Sequence, residues 1–382
     1  IGVQIENDNI QELQVISGTF NAEYGRALTG VVNMVTKDGG NQFEGSLHTY
    51  AGDYQSSDKI YNNLNNLDLE DDYSVSASLS GPILKDKVTF YSSGRVNQSK
   101  GWLNGLQTFT IYGDTIFKDQ NNNRYLDGNE EQKDPYYKGL NWHSSWSTQN
   151  KVTFNLLKGT TFKINTILNS RESQDYNFAL QLLEDAQITN FNRGRFLGLS
   201  ISHTLSPTSF LQVNVSENKY NYESYLFEDP LDNRYITPDS LFLARLENRI
   251  PDHIIEQYGD QVQYFPAYSL YRAGVDNRRF ERETKTNNYK LDFTSQINKY
   301  NQVKLGLDFS SHSLMLDTYS LLDSTLTDQV YTPIIPDKES FTRSYYVRKP
   351  TEFAIYAQDK IEYGDMIINL GLRYESFNPN AK

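Results

Sequence analysis

Residues 284–318 read TKTNNYKLDFTSQINKYNQVKLGLDFSSHSLMLDT. In the first half, Tyr289, Leu291, Phe293, Ser295 and Ile297 form a mostly apolar set, interleaved with the polar Lys290, Asp292, Thr294 and Gln296. In the second half, Val303, Leu305, Leu307 and Phe309 alternate with Lys304, Gly306, Asp308 and Ser310. A period of two sends one set to an apolar medium and the other to a polar one. The break at Lys299–Asn301 is short enough for a tight turn, so the stretch predicts an antiparallel hairpin. Its strands exceed the about five or six residues usual in soluble sheets.

The same unit recurs along the chain. Eleven strands are predicted: Phe43–Asp53, Asp72–Pro82, Asp86–Gln98, Trp142–Leu157, Thr160–Gln174, Arg193–Leu205, Thr208–Tyr222, Thr284–Asn298, Gln302–Thr318, Pro350–Glu362 and Met366–Phe377. Tight turns fall at Ile83–Lys85, Lys158–Gly159, Ser206–Pro207, Lys299–Asn301 and Tyr363–Asp365. Between them lie long links at Tyr54–Asp71, Ser99–Asn141, Asp175–Asn192, Asn221–Glu283 and Tyr319–Lys349. Short and long connections alternate without exception. A meander with all short turns at one end and all long loops at the other is the plan of an outer-membrane β-barrel. The competing reading is a soluble up-and-down barrel or sandwich. Loops above about a dozen residues, all at one end, count against it.

Composition agrees. The 382 residues include 28 Tyr and 20 Phe, and no Cys. Lack of Cys removes disulfides, thiol catalysis and Cys-ligated zinc. A formal net charge of −12 makes nucleic acid an improbable partner. No run approaches the roughly 18 apolar residues of a membrane helix, which leaves membrane strands open because they alternate. The chain starts at Ile1 without Met or a signal peptide, which reads as a mature or truncated product.

The first forty residues depart from the meander. From Ile10 they run IQELQVISGTFNAEYGRALTGVVNMVTKDGGNQFEGSL. An amphipathic strand, Ile10–Ile16, holds ELQVISG. Asn21–Arg26 holds NAEYGR, with Tyr24 and Gly25 before a small-residue turn. Gly30–Lys37 is the GVVNMVTK strand, followed by Gly39 and Gly40, and FEGSL opens the next strand. As an ordered set this resembles the end of the plug domain of TonB-dependent receptors and its exit into the barrel. The tail AIYAQDKIEYGDMIINLGLRYESFNP, Ala354–Pro379, is similar to a mid-barrel hairpin of the same family. The nearest likeness is to the large receptors with a carboxypeptidase-regulatory-like domain before the plug.

The resemblance implies an all-β fold: an antiparallel transmembrane barrel, of which residues 41–382 are the first half, and the end of a plug, residues 1–40. It implies a TonB-contacting box and most of the plug before Ile1, and about eleven further strands after Lys382. A barrel of about 22 strands is too wide for its own side chains to fill, so a plug must occupy it. An open edge within a membrane is untenable, so further sequence or another chain must complete the wall. The implied function is energised uptake of a scarce solute (siderophore, vitamin, glycan or peptide) at the bacterial outer membrane. TonB, outer-membrane lipid and a surface lipoprotein are the implied partners. The competing function is a surface binding or assembly platform.

Two sets of residues stand out. Glu23 and Arg26 are charges inside a plug, and the family pairs such charges with barrel-wall residues, here Arg373 and Glu375. A local Glu23–Arg26 pair of little consequence is the alternative. The string DQNNNRYLDGNE, residues 119–130, places Asp119, Asn121, Asn123, Asp127 and Glu130, with the Tyr125 carbonyl, in the 1, 3, 5, 7, 9, 12 ligand order of a calcium loop. Arg124 stands where that loop wants Gly, and no helices flank it, so an EF-like loop competes with a plain solvated one. No enzyme site is evident. His48, His143, His203, His253 and His312 lack metal-ligand spacing, and no G-x-S-x-G elbow occurs.

Overall fold

The computed structural model describes residues 5–17, 21–25, 30–58, 60–111, 136–235, 270–271, 274–323 and 333–380. Near the N-terminus, β1 (Ile10–Ser17) and β2 (Gly30–Thr36) pair antiparallel as a separate hairpin. The wall begins with β3 (Glu44–Gly52), β4 (Asp72–Leu84) and β5 (Val88–Ser99). A loop hairpin follows, β6 (Asn104–Gln107) with β7 (Tyr136–Gly139). The wall resumes with β8 (His143–Leu157), β9 (Thr160–Ser173), β10 (Thr189–Ser206), β11 (Ser209–Tyr225), β12 (Arg278–Gln296) and β13 (Asn301–Ser320). After a second loop pair, β14 (Leu322–Asp323) with β15 (Pro333–Ile334), come β16 (Arg343–Arg348), β17 (Thr351–Tyr363) and β18 (Met366–Asn378).

The wall strands lie side by side in chain order from β3 to β18, each antiparallel to the next. All eleven predicted strands are present. β16 pairs with the upper part of β13 and β17 with its lower part, so the two form one line interrupted at Lys349–Pro350.

The register settles which side chains share a face. Ser93, Gln149, Lys151, Asp292, Thr294 and Ser310 face the N-terminal segment's side and are buried. On the opposite face Leu197, Leu291, Leu305 and Phe309 are exposed, and Leu372 is 84% exposed. Polar inside and apolar outside is the reverse of a soluble sheet. Covering one such Leu or Phe is worth roughly 1.5–3 kcal/mol, so this outer face demands an apolar medium.

Three local features differ from the sequence expectation. The first tight turn lies at residues 85–87, not 83–85, because β4 continues through a register shift at Pro82 to Leu84. Asp86 takes a left-handed φ of 61° there, held by reciprocal hydrogen bonds with the Asn41 side chain at 2.7 and 2.9 Å. Second, β10, β11 and β12 extend beyond their predicted ends, to Thr189, Tyr225 and Arg278. Their upper outer faces carry ion pairs, Lys219–Glu283 and Lys285–Glu217 at 2.7 Å, where the apolar alternation has stopped. Third, Gly39 is required for close approach to the wall: a Cβ there would overlap the backbone of Phe90.

Among the described residues, the long links hold an apolar cluster. Ile111, Leu180, Leu183, Ala186, Tyr235, Val275 and Leu321 cluster together, each buried, from four different links. Backbone bonds stitch the links: Asp276 N donates to Ala186 O at 3.1 Å and Gly274 N to Ile111 O at 2.7 Å. The described parts of these four links therefore pack against one another above the wall.

Candidate functional site

The N-terminal segment rests on the inner face at three charged points. At the first, Arg95 of β5 donates to Glu6 at 3.0 Å and to Asp8 at 2.5 Å. Ser147 donates to Glu6 at 2.9 Å, and the Tyr91 hydroxyl to the Asn9 side chain at 2.9 Å. These residues reach one another because alternation puts Tyr91, Arg95 and Ser147 on one face.

At the second point, Asp38 follows β2 and takes Lys163 at 2.6 Å and Lys151 at 3.0 Å. Lys151 also donates to the Thr36 carbonyl at 2.8 Å. Burial alone would raise the Asp38 carboxyl, but the hydrogen bonds from Lys163 and Lys151 outweigh it and hold it below the usual carboxylate range.

The third point is the turn holding Tyr24 and Gly25. Glu23 pairs with Lys304 of β13, and its backbone N–H donates to the Gln358 side chain at 3.3 Å. Arg373 donates to the carbonyls of Ala22 and Glu23, each at 3.4 Å, and pairs with Glu375 at 2.6 Å. A Cβ on Gly25 would run into the Arg373 and Glu375 side chains, and one on Gly371 would lie 2.6 Å from Ala22 Cβ. Tyr24 lines a cavity of about 260 Å³ with Gln358, Asn369 and Arg373. Gly30 opens β2 opposite Ser17.

The acidic partner at the turn is therefore held by Lys304, and Arg373 serves its backbone. Arg26 lies outside the described residues, as do the calcium candidates Asp119, Asn121, Asn123, Tyr125, Asp127 and Glu130. Arg95, Lys151, Lys163 and Lys304 escaped the sequence reading, because most inner strand positions are polar and nothing marks four cations among them. Among the described residues no three His, Asp or Glu side chains gather to hold a metal.

Above the turn, where β10 to β13 meet the cap, a cleft of about 860 Å³ opens. Asn190, Tyr222, Ser224, Arg278, Phe280 and Thr318 come from the wall, and Tyr176, Asn177 and Phe178 from the link after β9. Asn190 accepts from Tyr222 at 2.9 Å and from Ser224 at 2.8 Å, and donates to Asp175 at 3.0 Å.

No family model matches the chain. A curated relative, the TonB-dependent transporter Oar of Myxococcus xanthus, is 34% identical over 92 residues, 22% of this chain and 8% of that protein. Among solved structures, the outer membrane transporter YddB from Escherichia coli superposes with a TM-score of 0.61 at 11% identity, covering 99% of this chain and 44% of its own. The siderophore receptor PirA from Acinetobacter baumannii gives 0.55 at 14% identity, over 97% and 44%. The ferric citrate transporter FecA gives 0.56 at 12% identity, over 98% and 44%. The chain thus spans less than half the length of each of these structures and a small part of the curated relative. An open antiparallel wall with an apolar outer face is accordingly part of an outer-membrane β-barrel, and the chain resembles TonB-dependent outer-membrane transporters, in fold over nearly its whole length and in sequence over 92 residues.

Proposed function

We propose that the chain is part of a receptor that takes up a scarce solute across the bacterial outer membrane with energy delivered by TonB. Residues 1–40 are the end of its plug, and residues 41–382 the first half of its barrel, with the long links extracellular. One observation carries this reading: the N-terminal segment is fixed to the lumen wall by charges at three separate points, with no sheet pairing to it among the described residues. These pairs are partly buried, with the Lys151, Glu6 and Glu23 side chains 9%, 12% and 14% exposed, so they hold the segment until a competing interaction replaces them, which suits an obstruction that moves on demand. A solute bound above shifts that obstruction only by its differential affinity for the two states.

The test is uptake in cells expressing the full receptor. Transport should stop without TonB and with a protonophore. A disulfide between Ala22→Cys and Gly371→Cys should block it until reductant is added, because the two positions face each other. Undiminished uptake without TonB would sink the reading. The second reading, a surface platform holding a partner such as a lipoprotein, draws on the packed cap of links. It predicts retained partner binding and no uptake under any condition.

A further inference from the structure

The solute is not identified by the wall, but the cleft under the cap has a chemistry of its own. Its volume, about 860 Å³, lies within the roughly 300–1,000 Å³ of small-molecule sites. Six aromatic rings line it: Tyr176, Phe178, Tyr222, Phe280, Tyr319 and Phe341. Phe341 is 100% exposed and Phe178 53%, so two rings present open faces. Tyr222 and Phe280 are fixed edge to face at 5.4 Å. Between the rings stand neutral hydrogen-bonding groups, Asn177, Gln187, Asn190, Ser224, Thr318 and Ser344. Gln187 is buried, and its amide nitrogen has no acceptor in the protein.

The guanidinium groups of the cleft are engaged within the protein, and its remaining carboxylate, Asp175, accepts from Asn190 at 3.0 Å. Arg278 grips Asp276 through Nε at 2.9 Å and Nη2 at 2.6 Å. Arg343 grips Asp317 through Nε at 2.8 Å and Nη2 at 2.5 Å. Arg279 donates to the carbonyls of Phe227 and Glu228 at 2.5 and 2.9 Å, and stacks on Tyr225. A site for an anionic chelate or a phosphate would keep an open guanidinium fork, and these three are spent on the protein. A wholly apolar solute would strand the amides and hydroxyls.

From this we infer that the cleft takes an uncharged, hydroxyl-rich ligand with apolar faces, namely a short neutral oligosaccharide. A sugar ring offers C–H faces to the open rings of Phe178 and Phe341, and hydroxyl edges to Asn177, Gln187 and the serine and threonine hydroxyls. The inference rests on the uptake reading for its biological use, but binding is measured without energised transport, so the two can fail separately.

The experiment is calorimetry on the full receptor in detergent with maltohexaose, cellohexaose and xylohexaose, after screening on an array of neutral and acidic glycans. At least one neutral oligosaccharide is expected to bind, with affinity unchanged within about twofold when salt is raised to about 1 M. The Phe178→Ala, Phe341→Ala double variant should weaken it by about tenfold or more while its thermal unfolding stays that of the parent. The inference is overturned by binding confined to anionic ligands and lost in high salt. It is equally overturned by no neutral glycan binding at millimolar concentration, or by full affinity in the double variant. If binding holds but uptake needs no TonB, the uptake reading fails alone.

Discussion

The hydroxyl of Tyr356 on β17 donates to the carboxylate of Asp292 on β12, reaching across the whole of β13. It can do so because Gly306 of β13 lies in register with both residues, and a Cβ there would overlap the Tyr356 ring. The ring lies over the glycine as a bridge, with Arg373 5.6 Å and Lys290 5.8 Å from its centroid. Asp292 is 5% exposed, and its other partner, Lys290, is 3.7 Å away.

Gly306→Val should therefore displace the ring and leave Asp292 buried without its donor. A buried group losing its partner costs about 1–3 kcal/mol. Tyr356→Phe should cost a similar amount while keeping the ring in place. Thermal unfolding of the refolded protein in detergent measures both, and parent-like unfolding of both variants would refute the bridge.

Glu23 and Lys304 join the N-terminal segment to β13, with side chains 14% and 23% exposed. Lys304→Ala should leave Glu23 partly buried and unpaired, and raise hydrogen exchange in residues 21–25 by the equivalent of about 1–3 kcal/mol. Exchange at residues 6–9, held by Arg95, should not change. The Glu23→Lys, Lys304→Glu double variant should recover much of the protection. Equal exchange in parent and Lys304→Ala would show that the pair holds nothing.

Much of this was legible beforehand. Period two in residues 289–297 and 303–310 needs only a list of apolar residues, and it gave both the strands and their faces. Strand ends were harder. Arg279, Glu281 and Glu283 belong to β12 but read as loop, because above the apolar band the outer face switches to charges that pair across strands. The cap's core was missed for a related reason. Ile111, Leu180, Leu183 and Tyr235 lie in polar links without period, and nothing local says that four distant segments meet. The inner charges were hidden by abundance: Lys304 is one of several polar residues on its face, and only the register shows it beneath Glu23.

Asp38 gives the anchoring a pH dependence. Its folded carboxyl is held below the usual range, so its unfolded value of about 3.9 is the higher. Such a group contributes stability that is present above the unfolded value and lost as pH falls through the folded one. Proteolytic release of residues 1–40 should thus increase as pH is lowered from about 4 downward. Asp38→Asn should release the segment more readily at neutral pH and flatten that step. An unaltered acid profile in Asp38→Asn would place the response on other carboxylates.

Orientation follows from the alternation of connections. A cysteine at Leu231, exposed beyond the end of β11, should react with a membrane-impermeant maleimide on intact cells. One at Lys299, in the turn between β12 and β13, should react only after the outer membrane is opened. The reverse pattern would invert the barrel.

The link after β6 carries the calcium candidates, which are marked by the spacing of their oxygen ligands in the sequence. Calcium takes six to eight oxygen ligands, and five side chains from Asp119 to Glu130 fall at the alternate positions that wrap one ion, with the Tyr125 carbonyl at the seventh. Three formal charges, Asp119, Asp127 and Glu130, suit a divalent cation. Arg124 in the sixth position opposes them, adding a positive charge and a side chain where the loop turns most sharply. That weakens any site toward the affinity of extracellular modules, on the order of 10⁻⁴–10⁻³ M. Calcium should therefore slow protease cleavage between residues 112 and 135 of the full protein, and chelator should restore it. Arg124→Gly should bind more tightly, and Asp119→Ala and Glu130→Ala should abolish the protection. If cleavage is indifferent to calcium in the parent and in Arg124→Gly alike, the string is an ordinary solvated loop whose oxygen spacing is coincidental.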